Sequence, residues 1–135
     1  MAIVGHGVDI VEVARIRAML ARHEDQFLDR CFTPREQADA TAAGKRREER
    51  LAGRFAAKEA ALKALGTGWR HGIAWTEIEV IPDDAGKPTL SLTGQARKFA
   101  DSLGATEWHL SISHTETHAI ASVIASSTQA PPPSP

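Results

Sequence analysis

The chain has 135 residues, 42% of them apolar and 24% charged, with a formal net charge of −1. This balance belongs to an ordinary globular domain and excludes collagen-like and wholly disordered chains. No run approaches the roughly 20 apolar residues of a membrane helix, and the chain lacks the basic excess of a general nucleic-acid binder.

The charge is unevenly spread. Residues 1–70 hold 13 Lys and Arg against 10 Asp and Glu, a surplus of +3, whereas residues 71–135 hold 3 against 7, or −4. The first half therefore offers basic surface to an anionic partner. Cys31 is the one cysteine, so a single chain forms no disulfide framework and no cysteine-based zinc site. The start of the chain has no basic stretch and carries Asp9 and Glu12, unlike a signal peptide, and the cytoplasm is the expected compartment.

In chain order, residues 3–11 read as a strand rich in β-branched side chains. Val4, His6, Val8 and Ile10 share one face, and Gly5, Gly7 and Asp9 the other. Residues 13 to about 20 read as a short helix, and 27–32 continue helical. Thr33-Pro34-Arg35-Glu36 is a helix start with Thr33 as N-cap and Glu36 closing a capping box, and Gly44 ends that helix. Residues 45–65 form a long helix stopped by Gly66. Residues 75–81 and 88–92 make a hairpin around Asp83, Asp84 and Gly86. Thr93 caps a helix running to Leu103. Two more strands occupy 108–113 and 119–125. The order predicts an α+β domain over 1–125 with a mostly antiparallel sheet. The Pro/Ser-rich tail 126–135 has little to bury and is expected to be disordered.

Three places break the structural pattern. Asp9 stands in a strand, where Asp is depleted, on the face that Gly5 and Gly7 leave open. It either ends the strand and caps the next helix, or faces a ligand. On the long helix, Leu51, Phe55, Leu62 and Leu65 make an apolar stripe, and Glu59 falls at its edge. Lys63, four residues on, is placed for a surface ion pair with Glu59; alternatively, Glu59 points into a cleft. Two hard carboxylates from separate elements suit Mg²⁺, which completes its shell with waters and substrate phosphates. The third place is Ser111-Ile112-Ser113-His114-Thr115, either a strand running into a polar turn or a phosphate contact made by hydroxyls, imidazole and backbone N–H groups. The run Lys45-Arg46-Arg47 is a solvated face or a phosphate patch.

Taken in order, these segments resemble a family. Gly7-Val8-Asp9-Ile10-Val11-Glu12 with Arg15, Arg54-Phe55-Ala56-Ala57-Lys58-Glu59-Ala60 with Lys63 and Gly66-Thr67-Gly68, Gly86-Lys87-Pro88, and Ser111 to Thr115 look like the short bacterial 4′-phosphopantetheinyl transferases, the holo-(acyl-carrier-protein) synthases. The resemblance covers about residues 3–125. It implies transfer of the phosphopantetheine arm of coenzyme A to a serine hydroxyl of an apo acyl carrier protein, with adenosine 3′,5′-bisphosphate as the other product. It implies Mg²⁺ on Asp9 and Glu59, with Lys63 sharing in catalysis. Arg54, Gly66, Pro88, Ser113, His114 and Thr115 match positions near the substrate. Arg15 and Arg22 are implied to meet the acidic carrier. The family's subunits form trimers with active sites at their interfaces, and neither nucleic acid nor membrane is an expected partner. A coenzyme A-binding module without turnover would use the same phosphate contacts. Two departures stand out: His6 between the glycines, and Glu24, Asp25 and Asp29, which shorten the basic carrier-binding face.

Overall fold

The computed structural model describes residues 1–69 and 71–128. The order is β1 (Ala2–Glu12), α1 (Val13–Cys31), α2 (Pro34–Ala42), a 3₁₀ turn (Gly44–Arg46), α3 (Arg47–Leu65), a second 3₁₀ turn (Trp75–Glu77), β2 (Ile78–Pro82), β3 (Pro88–Leu92), α4 (Gly94–Ser102), β4 (Glu107–His114) and β5 (His118–Ser127). The fold is α+β. One antiparallel sheet has the order β1-β5-β4, and β2 and β3 form a separate two-stranded sheet. Among the described residues, no helix is long and apolar enough to cross a membrane.

Helix α3 is the centre of the molecule. The single apolar stripe expected for it understates its burial. Leu51, Phe55, Leu62 and Leu65 are buried, but so are Ala52, Ala56, Ala57, Ala60, Ala61 and the charged Arg54 and Lys58. Small alanines let other elements approach the helix on several sides. The sheet lies against one of those sides: Ala119, Ala121, Val123 and Ala125 of β5 are buried beside Gly7 and Val11 of β1. The opposite face of β1 stays open, with Val8 48% and Ile10 63% exposed.

The glycine face of β1 sets the spacing between strand and helix. A Cβ at Gly5 would stand 1.9 Å from the Ala64 carbonyl oxygen, and one at Gly7 would stand 2.0 Å from that of Ala60. No other residue lets strand and helix backbones meet so closely.

Several expected boundaries shift for visible reasons. The first helical region is continuous over Val13–Cys31, apart from a break in helical angles at His23 (φ −149°, ψ 57°). The 33–44 helix keeps its predicted start: the Thr33 hydroxyl accepts from the Glu36 N–H, and Glu36 Oε1 accepts from the Thr33 N–H. Trp75 does not begin a strand. It begins a 3₁₀ turn in which the Ala74 N–H donates to Glu77 Oε1 at 2.8 Å. The Thr93 side chain does not cap α4. Glu77 Oε2 does so from a distance, accepting the Gln95 N–H at 2.8 Å. Strand β5 also takes Ser126 and Ser127, which the sequence reading gives to the tail; Ser126 is fully buried and bonded to His109. The rest of the expected tail, from residue 129 on, lies outside the described residues.

Candidate active site

The register of β1 on α3 assembles the first cluster. Gly5 faces Ala64 and Gly7 faces Ala60. Two strand residues thus match one helical turn, and the two elements run in opposite directions. By the same register the next inward residue, Asp9, falls opposite Ala56, within one turn of Glu59 along the helix. Asp9 does not cap a helix: β1 continues through Glu12, and α1 starts after it. Lys63 reaches back across the contact, donating to the Val8 carbonyl at 3.0 Å and to Asp9 Oδ1 at 3.1 Å. The predicted Glu59–Lys63 surface pair is replaced by this cross-element bond. Glu59 Oε1 instead accepts the indole N–H of Trp69 at 3.3 Å.

Asp9 and Glu59 supply two carboxylates from opposed elements. Among the described residues, no group of three or more His, Cys, Asp or Glu side chains is gathered for a metal ion. That donor set does not suit a metal held wholly by protein. It fits Mg²⁺, which takes one or two carboxylates and keeps open positions for water and phosphate oxygens.

A cleft of about 570 Å³ opens beside Glu59, between α1 and the segment after α3. Phe55, Trp69 and Trp75 form an aromatic wall, with ring centroids 4.7 Å apart for Phe55–Trp75 and 3.8 Å for Trp69–Trp75. Arg15 and Arg22 line the rim, and the Arg15 guanidinium lies 5.4 Å from the Phe55 ring centroid. Cys31 also borders this cleft, but burial pushes its thiol above the usual range and so disfavours the nucleophilic thiolate.

The second cluster lies at the other end of α3. His114 Nδ1 stands 3.2 Å from Glu49 Oε2, and both border a smaller cleft of about 270 Å³ with Arg46, Thr115 and Glu116. Ser113 points to the opposite sheet face, as strand alternation requires. The Thr115 hydroxyl is engaged in the β4–β5 turn, accepting from the Thr117 and His118 N–H groups. Glu59 lies ten positions beyond Glu49 on α3, about 15 Å along the helix axis. Within one chain, therefore, His114 and Thr115 do not meet Asp9 and Glu59.

The remaining predicted residues have separate places. Arg54 is 6% exposed and paired with Asp39 at 2.8 Å, and burial pushes its guanidinium down while Asp39 opposes. Gly66 ends α3 in the left-handed conformation (φ 77°), which glycine adopts without a Cβ clash. Pro88 opens β3 opposite Pro82, in the two-stranded sheet and apart from both clusters. Sequence reasoning missed Trp69 and Glu49. An indole near a helix end and an acid on a charged helix carry no local signal of their partners.

The whole arrangement has close counterparts. Residues 5–123 match the 4′-phosphopantetheinyl transferase superfamily. The chain is 52% identical over 122 residues to a holo-[acyl-carrier-protein] synthase of Alkalilimnicola ehrlichii, covering 90% of this chain and 95% of that one. It is 49% identical to one from Koribacter versatilis, covering 90% and 97%. Among solved structures, the synthase of Neisseria meningitidis aligns with a TM-score of 0.84 at 36% identity, covering 92% and 98%. The Bacillus anthracis enzyme, solved in complex with CoA (3′,5′-ADP), aligns at 0.77 and 41%, covering 95% and 100%. The chain belongs to the 4′-phosphopantetheinyl transferase superfamily, as a transferase of the holo-(acyl-carrier-protein) synthase type.

Proposed function

We propose that the enzyme moves the 4′-phosphopantetheine group of coenzyme A to a serine hydroxyl of an apo acyl carrier protein, releases adenosine 3′,5′-bisphosphate, and depends on Mg²⁺. The bond from Lys63, one helical turn beyond Glu59, to Asp9 of the facing strand carries this reading, since it puts both carboxylates beside one ammonium-bearing turn of α3. Related synthases from Bacillus anthracis and Helicobacter pylori, solved in complex with coenzyme A, support the donor, and the similarity to holo-[acyl-carrier-protein] synthases supports the acceptor. The lone cysteine, which leaves no disulfide within one chain, fits a reducing compartment such as the cytoplasm.

Asp9 and Glu59 would hold the cation. When bound, it offsets pyrophosphate charge and polarises phosphorus toward attack. Lys63, more than half exposed at its side chain, is free to swing its ammonium from the Val8 carbonyl to the phosphoryl oxygens, where it stabilises developing charge. The nucleophile is the partner's serine, so the enzyme needs none of its own. Glu59 takes the serine proton through an intervening water.

Trimeric assembly completes the site in this reading. The Asp9 and His114 clusters lie far apart in one chain. Val4, Val8, Ile10 and Ile120 form an exposed apolar sheet face, of the kind that marks protein contacts. A second copy seated there would bring its Ser113, His114 and Thr115 to the first copy's carboxylates.

Intact-mass analysis of an apo carrier protein incubated with the enzyme, coenzyme A and Mg²⁺ tests the reaction. The expected result is a gain of one phosphopantetheine group, lost with EDTA and in Asp9→Ala and Glu59→Ala variants that keep their fold. Near-normal turnover in either variant would remove that residue from the metal role.

A further inference from the structure

The loop that leaves α3 turns sharply back over the helix. Gly66 and Gly68 both have positive φ (77° and 58°), and the Thr67 hydroxyl donates to the Gly68 carbonyl at 2.8 Å. His71, also at positive φ (64°), anchors the far side by stacking on Phe99 with centroids 5.3 Å apart. Between these anchors, Trp69 lies against Trp75 and donates its indole N–H to Glu59 Oε1.

That bond fills a specific need. The cation four residues along the helix, Lys63, is turned to Asp9 and the Val8 carbonyl. The donor held against Glu59 is neutral, fixed in a ring stack, and directed at one oxygen. Indole N–H is a donor only, so it holds the carboxylate without competing as a ligand. With Oε1 engaged, the carboxylate plane is set. Hydrogen bonds from a second layer commonly orient ligating carboxylates in this way, and losing one typically costs 10–100-fold in metal affinity or activity.

We infer that Trp69 is a positioning residue: its indole N–H orients the Glu59 carboxylate for divalent-cation binding, a role that rests on the assignment of Glu59 as a metal ligand.

The test uses the full chain and Mg²⁺ alone. The sequence holds three Trp, hence three indole N–H signals in a ¹H–¹⁵N spectrum. The signal of Trp69, identified by its loss in Trp69→Phe, should move on Mg²⁺ titration of the wild type and stay still in Glu59→Gln. By calorimetry, Trp69→Phe should bind Mg²⁺ about tenfold more weakly. Trp75→Phe, which alters the same stack without touching that hydrogen bond, should bind as the wild type does. The inference is overturned if the Trp69 signal ignores Mg²⁺, if Trp69→Phe keeps wild-type affinity, or if Trp75→Phe loses as much. Equal Mg²⁺ binding by Glu59→Gln and wild type would instead defeat the Glu59 assignment, and the inference with it.

Discussion

Lys58 donates a 2.7 Å hydrogen bond to Glu36 Oε1, and solvent reaches neither side chain. The pair ties four elements together. Glu36 also accepts the Thr33 N–H at the start of α2 and the Val80 N–H of β2, while Lys58 of α3 donates to the Trp75 carbonyl. Burial pushes the Lys58 ammonium below the ordinary lysine range, and Glu36 opposes that shift. Lys58→Met leaves a buried carboxylate without its counter-charge and should cost about 3–5 kcal/mol in urea unfolding. Adding Glu36→Gln should recover part of the loss, because the amide carries no charge. A fully stable Lys58→Met variant would contradict this account.

The β1–α3 contact is expected to be intolerant of a single methyl group. In Gly7→Ala the new Cβ would lie 2.0 Å from the Ala60 carbonyl oxygen and 2.9 Å from Lys63 Cβ. Strand and helix must separate, at a cost of about 3 kcal/mol, near the upper end for overpacking. Asp9 moves with the strand, so turnover should fall further than the population of folded protein does. Thermal melts paired with initial rates separate the two effects.

Arg15 sits at the rim of the aromatic cleft beside Glu59. Arg15→Glu should raise the apparent KM for an acidic carrier about tenfold, or ~1.4 kcal/mol, and flatten the dependence of that KM on salt. The KM for coenzyme A should stay put. A rise in the latter instead would move Arg15 from the carrier to the nucleotide.

Assembly through the open sheet face is tested by Ile10→Lys. Ile10 is 63% exposed and pairs with Ile120, itself 42% exposed. A charge there should leave the fold intact and convert the proposed trimer to monomers by light scattering, with loss of turnover. A trimer that survives the substitution would place the interface elsewhere.

Local features were legible in the sequence wherever the cause is local. The Thr33–Glu36 capping box and the Gly66 stop rest on neighbours within four residues, and both stand as read. The glycine face of β1 was also legible, because alternation puts Gly5, Gly7 and Asp9 on one side. The pairings that cross between elements were not. Lys63 has a suitable partner in Glu59 by helix spacing, yet it bonds Asp9, 54 residues away, and leaves Glu59 to Trp69. Glu77 displaces Thr93 as the cap of α4 for the same reason: the tertiary fold delivers a better acceptor than the adjacent side chain. Glu36 was read as a cap, but its second role as counter-ion to Lys58 depends on three elements meeting.

The close approach of Gly5 and Gly7 to α3 divides the enzyme into two separately adjustable parts. The backbones that carry Asp9 and Glu59 are spaced at Gly5 and Gly7, where there is no side chain to vary. The aromatic cleft is built from side chains of α1 and the segment after α3, including Met19, Arg22, Gln26 and Trp75. On the proposed assignment, selection for a different carrier can therefore rework the cleft wall while the spacing of the carboxylate-bearing backbones is kept. Trp69 is a hinge between the two parts, since it both lines the cleft and holds Glu59. A carrier whose docking shifts that ring would change the rate of the chemistry as well as the strength of binding.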